Sequence, residues 1–153
     1  MNKKNTRKIG NDFQNWVEKW IIKTYPGAVV HNQKTASTLV KVRDYKTGEL
    51  KDIWISKRND ILGCIDLLVI MPDKLPLFIQ ASVHQGVAKR IKELEQVPWN
   101  FPHCHVQLWL KRKPGLVQIK EFNKNKFPHD LSYGLNDKAK IIRGKLHLLA
   151  KEE

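Results

Sequence analysis

Cysteine is scarce in this chain: Cys64 and Cys104 are the two it has. Both lie in apolar runs with strand character, which predicts buried, reduced thiols. His103-Cys104-His105 invites a zinc reading, but on a strand alternate side chains point to opposite faces, so Cys104 cannot join the two histidines. There is no second cysteine-rich half to complete a tetrahedral site. Acidic residues are also few, with 15 Asp and Glu against 28 Lys and Arg. No apolar run approaches the length that spans a bilayer. Met1-Asn2-Lys3-Lys4 has no apolar stretch behind its charges, so a secretory signal is not expected and a cytoplasmic location is. Internal repeats are absent, and so is low-complexity sequence beyond a lysine bias.

The basic excess is the dominant feature. The net charge is +13 over 153 residues, and the pI is about 9.8. A domain this basic repels itself unless an anion is near, and nucleic acid is the usual anion. A membrane surface would favour one amphipathic helix with a basic face, whereas here the charge is spread along the chain. A lysine-rich proteome, in which the charge only solubilises, is the bland alternative. The length suits one domain with a real core, and 41% apolar residues make the chain globular rather than disordered.

Residues 1–9 read as a basic arm with Lys3, Lys4, Arg7 and Lys8. A helix is expected over Asn11 to Lys23, with Phe13, Trp16, Val17, Trp20 and Ile21 on one stripe, Asn11 as N-cap and Pro26-Gly27 as the stop. Its tryptophans read as core anchors rather than stacking platforms. A short strand follows at Ala28 to Asn32. Two β-rich runs, Thr38 to Asp44 and Leu50 to Ser56, flank a Gly-containing gap and predict a hairpin. Val40 and Val42 alternate with Lys41 and Arg43, which predicts an apolar and a basic face. Strands are expected at Ile65 to Met71, Leu77 to Ala81, His105 to Leu110 and Leu116 to Phe122. A helix at Gly86 to Val97 should turn Val87, Ile91 and Leu94 inward and Lys89, Arg90, Lys92 and Glu93 outward. Beyond Phe122 the signal weakens, and Ile141 to Leu149 fits a last strand or a helix. The order of elements is that of an α/β fold, a central mixed sheet flanked by helices. Its expected limits are 10–122, with 123–153 as a C-terminal extension.

Asp66 is the residue that demands chemistry. A carboxylate within Cys64-Ile65-Asp66-Leu67-Leu68-Val69-Ile70 is costly if buried and unpaired. Gln80 interrupts the next apolar run in the same way, and Ser82 projects on its face. If the two strands pair, Asp66 and Gln80 stand side by side at one end of the sheet. A carboxylate with an amide oxygen is a credible hard-cation site, while a hydrogen bond or an exposed strand end is the structural alternative.

These residues resemble the restriction-endonuclease-like superfamily, the PD-D/E-x-K nucleases, over about 10–122. Gly10-Asn11-Asp12-Phe13-Gln14 looks like the first helix of archaeal Holliday-junction resolvases, where a glutamate follows the aromatic. Gly63-Cys64-Ile65-Asp66 looks like the strand of the metal-binding aspartate, and Phe78-Ile79-Gln80-Ala81-Ser82 like the acidic-x-Lys strand. Arg90 and Val106-Gln107-Leu108-Trp109 resemble phage and bacterial nuclease-like proteins with Gln-x-Thr or Gln-x-Ser there. The resemblance implies a restriction-endonuclease-like core with an inserted hairpin, and a DNA endonuclease using Mg²⁺ or Mn²⁺. Asp66, Gln80, Ser82 and Gln14 would be its catalytic positions, with Asp66 and Gln80 on the metal. Gln14 and Gln80 replace acidic residues and Ser82 replaces the lysine. Lys89 or Arg90 are candidates to supply the missing cation, and Asp60 or Asp12 a missing carboxylate. DNA, duplex or branched, would lie along Lys3, Lys4, Arg7, Lys8, Lys41, Arg43, Lys89 and Arg90. Cutting both strands would call for a symmetric dimer. The alternatives are a nuclease-fold binding protein that has lost catalysis, and an interaction module whose charge is incidental.

Overall fold

The computed structural model describes residues 3–33, 36–57, 61–83, 87–124 and 133–149. The fold is α/β, built on a mixed sheet flanked by helices. Helix α1 spans Lys3–Thr24 and α2 spans Val87–Glu95. The strands are β1 (Val29–Asn32), β2 (Ala36–Arg43), β3 (Leu50–Lys57), β4 (Leu67–Ile70), β5 (Leu77–Ser82), β6 (His105–Lys113), β7 (Leu116–Lys124), β8 (Tyr133–Ile142) and β9 (Lys145–Leu148). Seven of them form one sheet in the order β1-β4-β5-β6-β7-β8-β9, and β2 with β3 forms a separate hairpin. All pairs in the large sheet are antiparallel except β5 with β6. A parallel pair needs a crossover, and α2 provides it.

The sheet separates two cores by its two-residue alternation. On one face Phe13, Val17, Trp20 and Ile21 of α1 bury against Leu67, Val69, Ile79, Trp109, Val117, Ile119, Ala139 and Ile141. On the other, Leu94 of α2 packs with Ile65, Trp99, Val106 and Phe122, and Phe78 lies against them. Strand β6 is covered on both sides, so Val106 through Leu110 are all buried. That burial explains its apolar run, which a one-sided strand would not need and which is interrupted only by Gln107, whose Oε1 accepts from Trp109 Nε1.

Several expectations change. Helix α1 begins at Lys3 rather than Asn11, so the basic segment from Lys3 to Ile9 is helical and Asn11 is not its cap. Cys64 is buried in the turn closed by the Ile61–Ile65 bridge, and half-buried Cys104 precedes β6, so neither thiol lies in a strand. Burial pushes the Cys104 thiol above its ordinary pKa, against a smaller opposing effect of its bond to Asn100 O. Trp20 is a core anchor, but Trp16 is 37% exposed. The segment after Phe122 contributes two strands to the main sheet, β8 and β9, joined at Arg143-Gly144. Both turn residues have positive φ, 47° and 80°, as a tight two-residue hairpin requires.

The hairpin forms as expected, but its faces are mixed. Directly paired residues share a face, and the register sets Lys41 opposite Asp52 and Arg43 opposite Leu50. Val42 lies opposite Lys51, and Leu39, Val42, Leu50 and Ile53 are all exposed. Lys51 is bound 2.9 Å from Asp44. The cause of the mixing is β3, whose Lys51 and Asp52 fall out of step with the alternation in β2.

Among the described residues no helix is long and apolar enough to cross a membrane. At the far end of the α1 face, Glu121 accepts from Lys138 at 2.6 Å and contacts His105 at 2.7 Å. Burial pushes the Glu121 carboxyl upward, but Lys138 and His105 together outweigh it and hold the pKa below the ordinary 4.5. The pairing therefore supports the fold above that value and fades as the pH drops through the lowered pKa.

Candidate functional site

Asp66 stands one residue before β4. The turn that delivers it is tight: Ile61 N–H donates to Ile65 O and Ile65 N–H to Ile61 O. Leu62 and Gly63 both take positive φ, 54° and 77°, inside it. Glycine tolerates that region, and Leu62 does so only under strain.

Both backbone groups of Asp66 are engaged. Its N–H donates to Ile79 O at 3.0 Å, and its carbonyl accepts from Gln33 N–H at 2.8 Å. The carboxylate Oδ2 accepts from Ala81 N–H at 2.9 Å. The β4–β5 register runs Leu67↔Ile79 and Leu68↔Phe78. The register ends there, but the Asp66 N–H bond to Ile79 O and the carboxylate bond from Ala81 N–H bracket Gln80. Asp66 therefore lies alongside the Gln80 segment of β5, and Gln80 itself points to the α2 face. Asp66 thus replaces a ladder bond with a side-chain bond at the point where the two strands part.

Gln80 is fully buried. Its Nε2 donates to Glu93 Oε2 at 3.1 Å, while its Oε1 is buried without a hydrogen-bond partner among the described residues. The bond to Glu93 fixes the amide orientation, because a flip would set two acceptors against each other. The same Glu93 oxygen lies 3.4 Å from Arg90 Nη1. Ser82, also buried, occupies the same face two residues on.

Gln14 belongs to a second layer on the α1 side. Its Nε2 lies 3.0 Å from Asn32 Oδ1, 2.6 Å from Gln33 O and 3.3 Å from Asp66 O. Two N–H groups are shared among three acceptors. A glutamate here would set a second oxygen against those three, so the pocket suits an amide. Asn32 in turn donates to Asn15 Oδ1 and Glu18 Oε2. This network ties α1 to the end of β1 and to the Asp66 backbone.

The structure therefore brings Gln14, Asp66, Gln80 and Ser82 to one end of the sheet. Of the cation candidates, Arg90 is linked to Gln80 through Glu93, while Lys89 is exposed with no ion pair among the described residues. Asp12 is exposed on α1, and Asp60 lies outside the described residues. Lys8, Lys41 and Arg43 are exposed; the side chains of Lys3, Lys4 and Arg7 are outside those described. Glu93 is the residue that the sequence reading misses, since helical spacing places it outward. One signal could have found it: Arg90 and Glu93 stand at i and i+3, a pairing distance, on a helix that follows the Gln80 strand.

A hard cation fits part of this donor set. Asp66 offers carboxylate oxygen, Gln80 offers an orphaned carbonyl oxygen, and Glu93 bonds the same amide. Among the described residues no group of three or more His, Cys, Asp and Glu gathers. Comparison with protein families, with characterised proteins and with solved structures returns no match to this chain.

Proposed function

We propose that this chain is a nucleic-acid-binding protein of the restriction-endonuclease-like kind that hydrolyses phosphodiester bonds in DNA with a divalent cation. The observation that carries the reading is the buried Oε1 of Gln80, without a hydrogen-bond partner among the described residues, on the strand whose Ile79 and Ala81 bond Asp66. Leaving such an oxygen unpaired costs about 1–3 kcal/mol. Sharing a cation with Asp66 offsets that cost.

Asp66 and Gln80 are the residues that would hold Mg²⁺ or Mn²⁺. When bound, the cation supplies a polarised water for in-line attack and offsets charge on the phosphate. The chain's own groups set the geometry. Ala81 N–H and the two backbone bonds hold Asp66 in place. Glu93 turns the Gln80 amide so that oxygen is its free end. Arg90, beside Glu93, takes on the phosphate charge that the family's lysine would meet. The exposed cations Lys8, Lys41, Arg43 and Lys89, with Lys3, Lys4 and Arg7, contact the DNA backbone, branched DNA included. Cleavage of both strands requires a symmetric pair of chains.

A second reading keeps the binding surface and drops catalysis. Two observations favour it: buried Ser82 stands in the place of the lysine, and the Gln14 nitrogen is committed to carbonyl oxygens. The deciding experiment incubates the chain with end-labelled branched and linear DNA in Mg²⁺, in Mn²⁺ and in EDTA. Cleavage in either metal and none in EDTA is expected. Retention of the DNA without cleavage in all three establishes the second reading.

A further inference from the structure

A groove of about 850 Å³ lies between α1 and the turns at the ends of β6–β7 and β8–β9. Five cations line it: Lys19 and Lys23 from α1, Lys111 and Lys113 from β6, and Arg143 from the β8–β9 turn. All five are exposed, and none is ion-paired among the described residues. Asp12 is the single carboxylate in the lining. The contrast with the rest of the sheet is sharp, since Lys120 and Lys138 on β7 and β8 are neutralised by Asp137 and Glu121. The groove therefore brings five unpaired positive charges together in one concave place, besides the exposed cations elsewhere on the surface.

The groove also has an aromatic wall. Trp16 contributes to it and is 37% exposed, although it stacks between Phe13 at 6.1 Å and Trp20 at 6.5 Å. A large aromatic beside lysines is the combination that holds unpaired bases together with their phosphates. A duplex keeps its bases inside and has no use for such a surface.

Strand register fixes where the groove leads. Gln80 lies beside Leu108 and Ser82 beside Leu110, and Lys111 to Lys113 continue β6 from there. Phe13 and Trp16 flank Gln14, which is bonded to the Asp66 carbonyl. The groove, on the α1 face, therefore lies at the same end of the sheet as Asp66 and Gln80, whose amide points to the α2 face. We infer that it binds one unpaired strand of nucleic acid, its phosphates on Lys19, Lys111, Lys113 and Arg143 and a base or sugar on Trp16. The inference rests on the reading of the chain as a nucleic-acid-binding protein and names the form of its ligand: a strand leaving a branch or an opened duplex.

The test uses the full chain, a fluorescein-labelled oligo-dT and a labelled duplex, with affinity followed by anisotropy across a salt series. Lys19, Lys111 and Lys113 are replaced together by glutamine; all are exposed, so the core is untouched. The oligo-dT salt slope should flatten by about two, which is a loss of about a hundredfold in affinity near 0.1 M salt. Trp16→Leu, which keeps an apolar side chain on the stripe, should weaken oligo-dT by about tenfold and leave the duplex unchanged. If wild type binds oligo-dT but the triple variant keeps its slope, the groove is not the site and the nucleic-acid reading stands. If Trp16→Leu weakens duplex and single strand alike, the preference for an unpaired strand is wrong. If wild type binds neither probe at low salt, both readings fall.

Discussion

Asp66→Asn abolishes metal-dependent cleavage, with a loss of about a thousandfold or more, and leaves nucleic-acid affinity unchanged or slightly raised. A thousandfold corresponds to roughly 4 kcal/mol of transition-state stabilisation. The size of the loss follows from the donor set. Asp66 supplies the carboxylate on the strand pair, and Gln80 can add only a neutral oxygen. A neutral amide binds a hard divalent cation far less well than a carboxylate. The fold should survive, because asparagine keeps a side-chain oxygen for the Ala81 N–H that Oδ2 now accepts. Removing a negative charge beside a phosphate explains the unchanged or raised affinity. Single-turnover cleavage and a filter-binding isotherm on one preparation separate the two effects. Cleavage at the wild-type rate would remove Asp66 from the chemistry.

Trp20→Ala is the substitution with the largest effect on stability. Its ring meets Trp109 edge-on at 5.7 Å and Tyr25 at 6.0 Å, and its Nε1 donates to Gly144 O at 2.9 Å. The one side chain therefore joins α1 to β6 and to the β8–β9 turn. Truncating a buried tryptophan costs about 3–5 kcal/mol, and a domain holds about 5–15 in all. Urea denaturation should show the unfolding free energy falling by that amount, as a lower midpoint at an unchanged slope. A loss under about 1 kcal/mol would mean that α1 does not depend on this contact.

Much of this arrangement is legible in the sequence, for identifiable reasons. The α1 stripe, the hairpin and the strand pair around Pro72-Asp73-Lys74 each carry a period and a turn signal, and all three are present. The placing of Asp66 alongside the Gln80 segment follows from pairing two apolar runs, each interrupted once. The misses also have physical causes. Gly10 within α1 costs a helix about 1 kcal/mol, which makes it look like a boundary, yet the helix runs through it to Lys3. Strand β8 escapes notice, and β9 is left open between strand and helix, because their turn uses Arg143, a residue that seldom takes positive φ. Among their described residues only Ala139 and Ile141 are buried, and polar residues such as Lys138, Lys140, Lys145 and His147 break the apolar pattern. Glu93 and the groove are tertiary in origin. Lys19, Lys111 and Arg143 are far apart in the chain, and their convergence depends on where α1 crosses the sheet.

Binding of Mn²⁺ followed by electron paramagnetic resonance tests the central claim most directly, since it reads the cation site without requiring turnover. Free Mn²⁺ gives a signal that diminishes on coordination, so titration counts sites. The account predicts one Mn²⁺ per chain for wild type, weaker binding for Gln80→Ala and none for Asp66→Asn at the same concentrations. Equal binding by wild type and Asp66→Asn, or none by either, would contradict a cation site built on Asp66 and the Gln80 carbonyl.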